Sequence, residues 1–370
     1  MTFAVITHVN HLNEGHDYLA YAPYVREMNL WFKHVDKVKI VAPLSRRMRT
    51  SIDMAYKHDK INFNSVPRIE FTNLFAFIIS LFKLPIIMIK IYRVCKASDH
   101  IHLRCPGNMG LLGCVVQTFF PSKPKTAKYA GNWDPKAKQP WSYKLQRYIL
   151  SNTKITKNMN VLVYGDWPKS SKNIVPFFTA SFSNNDKPQW QSRDYSKAIK
   201  FIFVGALVEG KRPLFAIKII EQLAKDFNIS LDIYGDGPLM PELTSYVDNN
   251  NLRTIVKFHG AVELDQLKSV YQNAHFLILA SKSEGWPKAI AEAMFFGVIP
   301  IATKISSVPS MLNYGERGVL IDAQVQNAVQ DVKKALQQVD LHEMSKKAQQ
   351  WSQQYTLEKF ESEIQKLLIK

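Results

Sequence analysis

Apolar and polar positions along residues 1–178 predict short strands separated by helices. The runs FAVITHV, KVKIVAP, DHIHLRC and NVLVYG have strand length, and YAPYVREMNLWFKHV between the first two has helical spacing. An apolar stretch at 71–96, the turn PGNMG followed by LLGCVVQTFF, and the strand in KTAKYAGNWD continue the alternation. This order of strands and helices predicts a mostly parallel α/β sheet with helices on both faces.

A second series with the same alternation follows a polar, turn-rich stretch. Residues 179–199 form this predicted linker, and residues 200–345 contain the strands KFIFVG, SLDIYG, IVKFHG, HFLILA, VIPIAT and GVLI with helices between them. We therefore predict two Rossmann-like, doubly wound parallel-sheet domains that face each other across a cleft at the carboxyl ends of their strands. The tail at 346–370 has the pattern of an amphipathic helix.

Small residues and one lysine follow the predicted strands of the second domain. Gly205, Gly235 and Gly260 each come at a strand end, and Lys211 lies six positions after the first of them. A glycine lets a ligand approach the backbone closely, and a lysine supplies a point charge for a phosphate. These positions predict a phosphate-containing ligand at the strand ends.

The stretch SEGWPKAIAEAM at 283–294 places two glutamates eight positions apart. Pro287 suits the first position of a helix, and the N–H groups after Gly285 offer a site for a diphosphate. Glu292 within the helix has the acceptors for two hydroxyl groups of a ribose, and Glu284 in the turn would lie nearer the diphosphate. The alternative is that Glu284 only complements the helix dipole and that Glu292 is solvated.

These residues resemble a known signature. SEGWPKAIAEAM is similar to the E-x7-E motif of family 4 glycosyltransferases, which have the GT-B fold, and the resemblance continues through FVGALVEGK, IYGDGP, FHGAV and GERGVLID. It implies a nucleotide-sugar donor in the second domain, transfer with retention of anomeric configuration, no cofactor and no obligatory metal. The sequence contains no D-x-D triplet. The family's C-terminal helix, which crosses back to the first domain, corresponds to 346–370.

The resemblance also implies roles for single residues. Lys211 would contact the diphosphate, Glu292 the ribose, and Glu284 the diphosphate or the donor sugar, while the loop at His259 would line the base. The predicted donor site comprises Gly205, Lys211, Arg212, Gly235, Gly260, Ala261, Glu284, Gly285, Trp286, Pro287, Lys288 and Glu292.

The sequence departs from the family pattern at three places. Ala206 stands where the family often has an arginine, and Arg212 is the candidate replacement. The segment SSVPS, from Ser306 to Ser310, lacks the glutamate that is usual there, and the YAGNWD loop lacks the family's histidine. These departures concern how the donor sugar is positioned.

In the first domain, polar residues and glycines at strand ends are the candidate contacts. We assign Gly15, Arg104, Asn132 and Asp134 to the acceptor or the donor sugar, and Asn132 joins Glu284 as a candidate catalytic residue. The alternative is ordinary turn chemistry, which favours Asn, Asp and Gly. His8, His11 and His16 do not have a spacing that indicates a metal site.

The net charge of +17 lies almost entirely in the first domain. Residues 1–178 contain 26 Lys and Arg against 10 Asp and Glu. Such an excess favours an anionic partner, and a membrane surface is the partner we expect, although a merely basic soluble surface is the alternative. Lys83, Pro85 and Lys90 interrupt the apolar segment 71–96, which predicts a core or interfacial helix, with Phe71 or Phe75 available for shallow insertion.

The remaining composition agrees with a protein of the cytoplasm. Three cysteines without C-x-x-C spacing predict neither a disulfide framework nor a zinc site, and the first residues lack the pattern of a signal peptide. We expect a cytoplasmic protein, peripheral on the inner face of the membrane. The basic residues are dispersed and no recognition motif for nucleic acid is present.

Together these features predict a retaining, metal-independent hexosyltransferase. It would move a sugar from a nucleotide-diphosphate-sugar donor to a glycan or lipid-linked glycan acceptor during synthesis of a surface polysaccharide or lipopolysaccharide. Two alternatives are a nucleotide-sugar 2-epimerase of the same fold and a non-catalytic subunit that binds nucleotide sugar or glycan. The charge asymmetry and the E-x7-E motif count against the epimerase.

Overall fold

The computed structural model describes residues 1–50, 52–69, 74–167 and 170–368, without the side chains of residues 74–79 and 81. Phe71 and the side chain of Phe75, which the sequence suggested for membrane insertion, lie outside the described residues. The chain forms two compact units: unit 1 comprises Met1–Phe178 with Phe360–Lys370, and unit 2 comprises Thr179–Lys359.

Unit 1 is built around a parallel sheet. Its strands are β1 (Thr2–Ile6), β2 (Leu12–Glu14), β3 (Asp17–Tyr21), β4 (Lys37–Pro43), β5 (Asp53–Ala55), β6 (Ile61–Val66), β7 (His100–Cys105), β8 (Lys125–Tyr129), β9 (Met159–Tyr164) and β10 (Ile174–Phe177). Seven of them form one sheet in the order β10-β9-β8-β7-β1-β4-β6, and every neighbouring pair in it is parallel. The other three form a small antiparallel sheet, β2-β3-β5.

Four helices of unit 1 connect these strands: α1 (Ala22–Phe32), α2 (Leu74–Lys96), α3 (Asn108–Val116) and α4 (Trp141–Ser151). The chain first adds β4 and β6 on one side of β1. It then adds β7, β8 and β9 in turn on the other side of β1. Because parallel crossovers are right-handed, this reversal puts α2, α3 and α4 together on the face opposite α1. Accordingly, α3 packs beside both α2 and α4. No helix within the described ranges is long and apolar enough to cross a membrane.

The sequence pattern did not predict two edge strands of this sheet. β6 and β10 lie at the two ends of the strand order, and most of their side chains are half-buried or exposed. An edge strand is covered less than a central one, so it lacks the continuous apolar run by which buried parallel strands are recognised. The small antiparallel sheet was also missed, because β2 and β5 have only three residues each.

Three buried histidines are a distinctive feature of the unit 1 core. His11 Nδ1 lies 2.8 Å from the Val9 carbonyl oxygen and its Nε2 lies 2.7 Å from the Tyr56 hydroxyl, so the neutral ring donates to the first and accepts from the second. His100 and His102 both contact the Thr126 hydroxyl, at 3.0 and 2.8 Å. The other ring nitrogen of each is buried without a partner among the described residues. A proton added to either ring would therefore have no acceptor.

We expect unit 1 to lose stability in mild acid. Burial lowers the pKa of His11 and of His100 to about 4, and burial together with the charges of His100 and Arg104 lowers that of His102 to about 3. Since the unfolded histidine has a pKa of about 6.5, the unfolded chain binds more protons below that pH. Stability is therefore complete above pH 6.5 and falls as the pH approaches 4.

Between about pH 7.5 and 5, each of the three buried histidines should remove roughly 2 kcal/mol from the free energy of unfolding. Amide hydrogen exchange in β1 and β7 measures this loss, and the core strands of unit 2 are the internal control. Equal protection of β1 and β7 at the two pH values would contradict it.

Unit 2 has a second parallel sheet, and its strands are β11 (Ile199–Val204), β12 (Ile229–Tyr234), β13 (Val256–Gly260), β14 (Phe276–Leu279), β15 (Ile299–Thr303) and β16 (Val319–Ile321). The strand order is β13-β12-β11-β14-β15-β16, with every pair parallel. Its helices are α5 (Pro213–Leu223), α6 (Met240–Asn249), α7 (Leu264–Asn273), α8 (Lys288–Phe295), α9 (Val308–Met311), α10 (Val325–Gln338) and α11 (Leu341–Ser352). The core is almost wholly aliphatic and aromatic.

The end of the chain is two helices rather than one. α11 ends at Ser352, and α12 (Leu357–Leu368) begins five residues later. The last residues of unit 2 form the first turn of α12, and from Phe360 onward α12 belongs to unit 1. There the Phe360 ring packs edge-on against Phe177 and Phe178.

Two glycines meet at the carboxyl ends of β11 and β12. Val204 pairs with Tyr234, and Gly205 and Gly235 follow directly. Gly235 has a φ of +145°, and a Cβ built on it would overlap the carbonyl oxygen of Gly205. The close approach of the two backbones therefore requires glycine at position 235 whether or not a ligand binds there.

Substitution of Gly235 by alanine should destabilise unit 2 by about 3 kcal/mol, because the added carbon collides with rigid backbone in a conformation that L-residues avoid. Gly210→Ala is the matched control: a Cβ there meets no atom within 4 Å. Its effect should stay within about 0.5 kcal/mol. Urea denaturation of the two variants measures both values, and equal midpoints would contradict the packing argument.

Candidate functional site

The carboxyl edge of the unit 2 sheet brings together most of the predicted donor residues. Parallel strands end at the same edge, so Gly205, Gly235, Gly260 and the turn after β14 are neighbours there. The Gly235 amide donates to the Gly260 carbonyl oxygen at 2.7 Å, and the Lys282 amide donates to that of Gly210 at 2.8 Å. Backbone hydrogen bonds thus tie these loops to one another.

An ion pair between Lys211 and Glu284 is the centre of this edge. The Lys211 ammonium lies 2.5 Å from Glu284 Oε1, and the Ser281 hydroxyl donates to the same oxygen at 2.5 Å. Glu284 is only 8% exposed, whereas the Lys211 side chain is 30% exposed. The pair joins residues 73 positions apart and leaves the Lys211 side chain partly exposed.

The segment that departs from the family pattern supports the same turn. The Ser306 hydroxyl accepts from the Glu284 amide at 3.4 Å, and the Ser307 hydroxyl donates to the Gly285 carbonyl oxygen at 3.0 Å. Ser306 has a positive φ of 51°, and Ser310 donates to the Ser307 carbonyl oxygen. The serines of SSVPS therefore hold the backbone of the glutamate turn.

Glu292 already accepts two hydroxyl hydrogen bonds within unit 2. Ser181 donates to Oε1 at 2.5 Å and Tyr271 donates to Oε2 at 3.0 Å. Burial and the charge of Glu292 raise the pKa of Tyr271 well above its usual value, so its hydroxyl stays protonated and remains a donor. The sequence suggested that Glu292 accepts two hydroxyls of a ribose, and in the structure Ser181 and Tyr271 supply the two hydroxyl groups that it accepts.

A small open cavity adjoins Glu292. It is lined by Thr179, Ala180, Ser181, Phe182, Trp286, Lys288, Ala291, Glu292, Phe295, Ser352 and Tyr355. Trp286 stacks against Trp351, with 6.1 Å between ring centroids, and meets Tyr355 edge-on at 5.6 Å. Trp286, a predicted donor-binding residue, thus belongs to an aromatic cluster beside the cavity.

The start of α8 differs from the sequence prediction. The helix begins at Lys288, and Pro287 precedes it with a ψ of 87°, which is not helical. Pro287 is therefore the residue before the helix and not its first residue, as the sequence suggested. The helix ends at Phe295, and Gly297 follows with a φ of +74°.

Two other predicted donor positions have different surroundings. Arg212 has left-handed backbone angles, and its guanidinium lies over the Phe215 ring at 5.0 Å. The guanidinium of this candidate phosphate contact therefore packs on the helix that follows it. Ala261 is exposed after β13, next to His259, whose ring contacts Asp232 at 2.7 Å and stacks on Tyr234.

The predicted site residues of unit 1 contact other residues of the same unit. Arg104 forms a buried ion pair with Glu27 at 2.6 Å and lies over the Tyr24 ring. Asn132 Oδ1 accepts from the Asp134 amide at 2.9 Å, and Asp134 Oδ1 accepts from the Lys136 amide at 2.8 Å. Gly15, with a φ of +66°, lies in the turn between β2 and β3.

Among the described residues, no group of three or more His, Cys, Asp or Glu side chains is arranged to hold a metal ion. Sequence reasoning missed the hydroxyl groups that surround the two glutamates, namely those of Ser181, Tyr271, Ser281, Ser306 and Ser307. Ser281 and the serines of SSVPS could have been suspected from their proximity to a strand end. Nothing in the sequence connects Ser181 with Glu292, because they are 111 residues apart.

Comparison with known families identifies this architecture. Residues 184–353 match the family model described as glycosyl transferases group 1. Unit 2 is a group 1 glycosyltransferase domain. This assignment confirms the resemblance that the E-x7-E motif indicated, and it covers almost the whole of the unit that contains Lys211, Glu284 and Glu292.

Two curated relatives of this glycosyltransferase domain are informative. An α-1,4-N-acetyl-D-galactosaminyltransferase of Campylobacter jejuni, named for its acceptor GalNAc-alpha-(1->4)-GalNAc-alpha-(1->3)-diNAcBac-PP-undecaprenol, is 33% identical over 111 residues, which are 30% of each chain. The capsular polysaccharide biosynthesis glycosyltransferase CapH of Staphylococcus aureus is 27% identical over 163 residues, 42% of this chain and 43% of the relative. The chain thus matches less than half the length of these relatives.

A solved structure extends the likeness to both units. The crystal structure of HepE from Anabaena with UDP and glucose is 13% identical, has a TM-score of 0.67, and covers 100% of this chain and 99% of its own. At this identity the likeness concerns the fold alone. It confirms the predicted fold class, a GT-B protein with two Rossmann-like parallel-sheet domains.

Loss of the Lys211 charge should destabilise this glycosyltransferase domain. Lys211→Met leaves the nearly buried Glu284 carboxylate without a cation, which should cost about 2 kcal/mol. The control is Lys282→Met, because Lys282 pairs with Glu209 at 3.2 Å between exposed side chains and should contribute under about 0.5 kcal/mol.

Urea denaturation of the two lysine variants measures the difference. Adding Glu284→Gln to Lys211→Met removes the unpaired charge and should restore most of the lost stability. If Lys211→Met and Lys282→Met unfold at the same urea concentration, the ion pair does not stabilise the domain.

Proposed function

We propose that this chain is a retaining, metal-independent hexosyltransferase. It takes a sugar from a nucleotide-diphosphate donor and transfers it to a glycan or a lipid-linked glycan during surface polysaccharide or lipopolysaccharide synthesis. The observation that carries the proposal is the Lys211–Glu284 pair at the carboxyl edge of a group 1 glycosyltransferase domain. The names of the relatives from Campylobacter and Staphylococcus support a lipid-linked or capsular acceptor.

In this proposal the donor diphosphate binds at Lys211. The Lys211 side chain is 30% exposed and its ammonium is held in place by Glu284, so a phosphate oxygen approaches it without reorganising the loop. Lysine supplies the positive charge that a metal ion supplies in other sites, which supports metal independence. Glu284 lies beside the diphosphate and next to the position of the donor sugar, where its carboxylate orients sugar hydroxyls.

The ribose binds at Glu292. A ribose offers two adjacent hydroxyl donors, which are the same type of group that Ser181 and Tyr271 now present to the two carboxylate oxygens. Tyr271 is fully buried in the core, whereas Ser181 is half-buried and borders the cavity. We therefore infer that a ribose hydroxyl replaces Ser181, while Tyr271 keeps the carboxylate oriented.

The location in this proposal is the inner face of the cytoplasmic membrane, with unit 1 toward the acceptor. Unit 1 carries nearly all of the positive charge, which attracts an anionic surface. Arg104, Asn132 and Asp134 are its candidates for contact with the acceptor or the donor sugar, and Asn132 is, together with Glu284, a candidate catalytic residue.

The two glutamates should have separable roles. A nucleoside diphosphate, screened among UDP, GDP and ADP with CMP for comparison, should raise the melting temperature of the wild-type protein. Glu292→Ala should weaken the affinity for that nucleotide about tenfold or more, since it removes charge-assisted hydrogen bonds. Glu284→Gln should leave nucleotide affinity within about threefold and lower donor turnover far more.

Turnover is followed as release of the nucleoside diphosphate from the matching nucleotide sugar, with and without EDTA, and NMR of the transferred sugar reports its anomeric configuration. The control variant is Glu209→Gln, on an exposed side chain. Failure of every nucleoside diphosphate to stabilise the protein would overturn the donor site. Loss of activity in EDTA that Mg²⁺ restores would overturn metal independence, and an unlinked epimeric sugar would indicate an epimerase.

A further inference from the structure

Exposed large apolar side chains are concentrated in unit 1. Among the described residues, fourteen of the sixteen such side chains belong to unit 1, and Tyr314 and Val339 are the two in unit 2. Single exposed apolar residues are ordinary, but a contiguous apolar patch marks an interaction site. The exposed apolar side chains of unit 1 therefore indicate an interaction site only if they form one continuous surface.

Ten of the fourteen lie on the layer formed by α2, α3 and α4, on the 3-10 turn Gln117–Phe119 that follows α3, and on the loop after α4. We call this surface the helical face, and its exposed apolar residues are Phe82, Ile86, Ile89, Tyr92, Val115, Phe119, Trp141, Leu145, Tyr148 and Ile155. On α2 and on α4 these residues are three or four positions apart, so each helix presents one apolar stripe. Because the three helices lie side by side on one face of the sheet, the stripes point away from the core in the same direction.

The aromatic residues of the helical face are strongly exposed. Phe82 is 78% exposed, Phe119 64%, Trp141 72% and Tyr148 63%. The rings of Tyr92 on α2 and Phe119 after α3 meet edge-on with 6.3 Å between centroids, which joins two parts of the surface. Aromatic side chains exposed to this extent are costly in water and are typical of a surface that another phase or molecule covers.

The charge around the helical face is almost exclusively positive. Residues 74–165 contain fourteen lysines and arginines against two aspartates and no glutamate. The exposed ones are Arg93, Lys96, Lys136, Lys138, Lys144, Lys154 and Lys157. Within the described ranges none of these seven forms an ion pair with a carboxylate, so their charge is available to a partner.

We propose that the helical face docks on an anionic phospholipid bilayer. Phe82, Phe119, Trp141 and Tyr148 enter the headgroup region, where amphipathic aromatic residues are favoured, and the surrounding lysines and arginines contact lipid phosphates. A second copy of this chain fits less well, because two such faces would bring like charges together. A nucleic acid would leave Ile86, Ile89 and Leu145 without an apolar partner. The inference rests on the membrane location proposed above and assigns the surface responsible.

The test uses the full chain and vesicles of phosphatidylcholine alone or mixed with phosphatidylglycerol. The apolar variant carries Phe82→Ser, Phe119→Ser and Trp141→Ser, and the charge variant carries Arg93→Gln, Lys144→Gln and Lys154→Gln. All six side chains are exposed, so both variants should keep the wild-type melting temperature. Matched controls in unit 2 are Tyr314→Ser and the triple change Lys257→Gln, Lys334→Gln and Lys346→Gln.

Wild type should co-sediment with the anionic vesicles at low salt and not with the neutral ones. Each removed basic residue on the helical face should weaken this partition about fivefold, the apolar variant at least tenfold, and the unit 2 controls less than twofold. Release of nucleoside diphosphate from the donor in solution should be unchanged in all variants.

Each other outcome overturns a defined part of the inference. If wild type binds anionic vesicles and the two surface variants bind equally well, the membrane location stands and the helical face is not the contact. If wild type does not bind anionic vesicles at low salt, the membrane location and the assignment of the helical face are both wrong. If size-exclusion chromatography shows a dimer that the apolar variant dissociates, and no vesicle binding is seen, the face joins two copies of the chain.

Discussion

The carboxylate of Glu284 sits below the surface of unit 2, and a buried charge must be met by a partner or it destabilises the fold. Lys211 meets it from the loop after β11 and Ser281 from the turn after β14. This requirement brings two distant loops to the same place and leaves the Lys211 side chain partly exposed. The contact that stabilises the edge of the sheet is thus also the place where we propose that the donor diphosphate binds.

Glu292 is prepared in a different way. Its two oxygens are occupied by hydroxyl groups, one from the buried Tyr271 and one from Ser181 beside an open cavity. A carboxylate oriented in advance by hydrogen bonds needs little reorganisation when another hydroxyl takes the place of one of them. The serines of SSVPS act similarly on the backbone at Glu284, so a segment that departs from the family pattern keeps the turn in place.

Unit 1 has a different physical character from unit 2. Its core contains neutral, buried histidines, which limits its stability in acid, and its outer helical layer combines exposed aromatic residues with unpaired positive charge. Neither property is needed to hold a parallel sheet together. Unit 2, by contrast, has an aliphatic and aromatic core, and its residues 179–359 contain 20 Lys and Arg against 19 Asp and Glu. This contrast supports the proposed division of labour between a unit that binds the donor and a unit that meets an anionic partner.

By itself, the sequence determined the α/β class, the two series of strands and helices, and the E-x7-E motif. These features depend on local periodicity and on short motifs, which are written in consecutive residues. The sequence pattern did not predict the edge strands β6 and β10, because partly exposed strands lack the continuous apolar run of a buried strand. The partners of Glu284 and Glu292, the packing of Arg212 on Phe215, and the joining of apolar stripes from α2 and α4 into one face were decided only by the tertiary structure. Each joins side chains or helices whose proximity depends on strand order and helix packing, and no local pattern records that order.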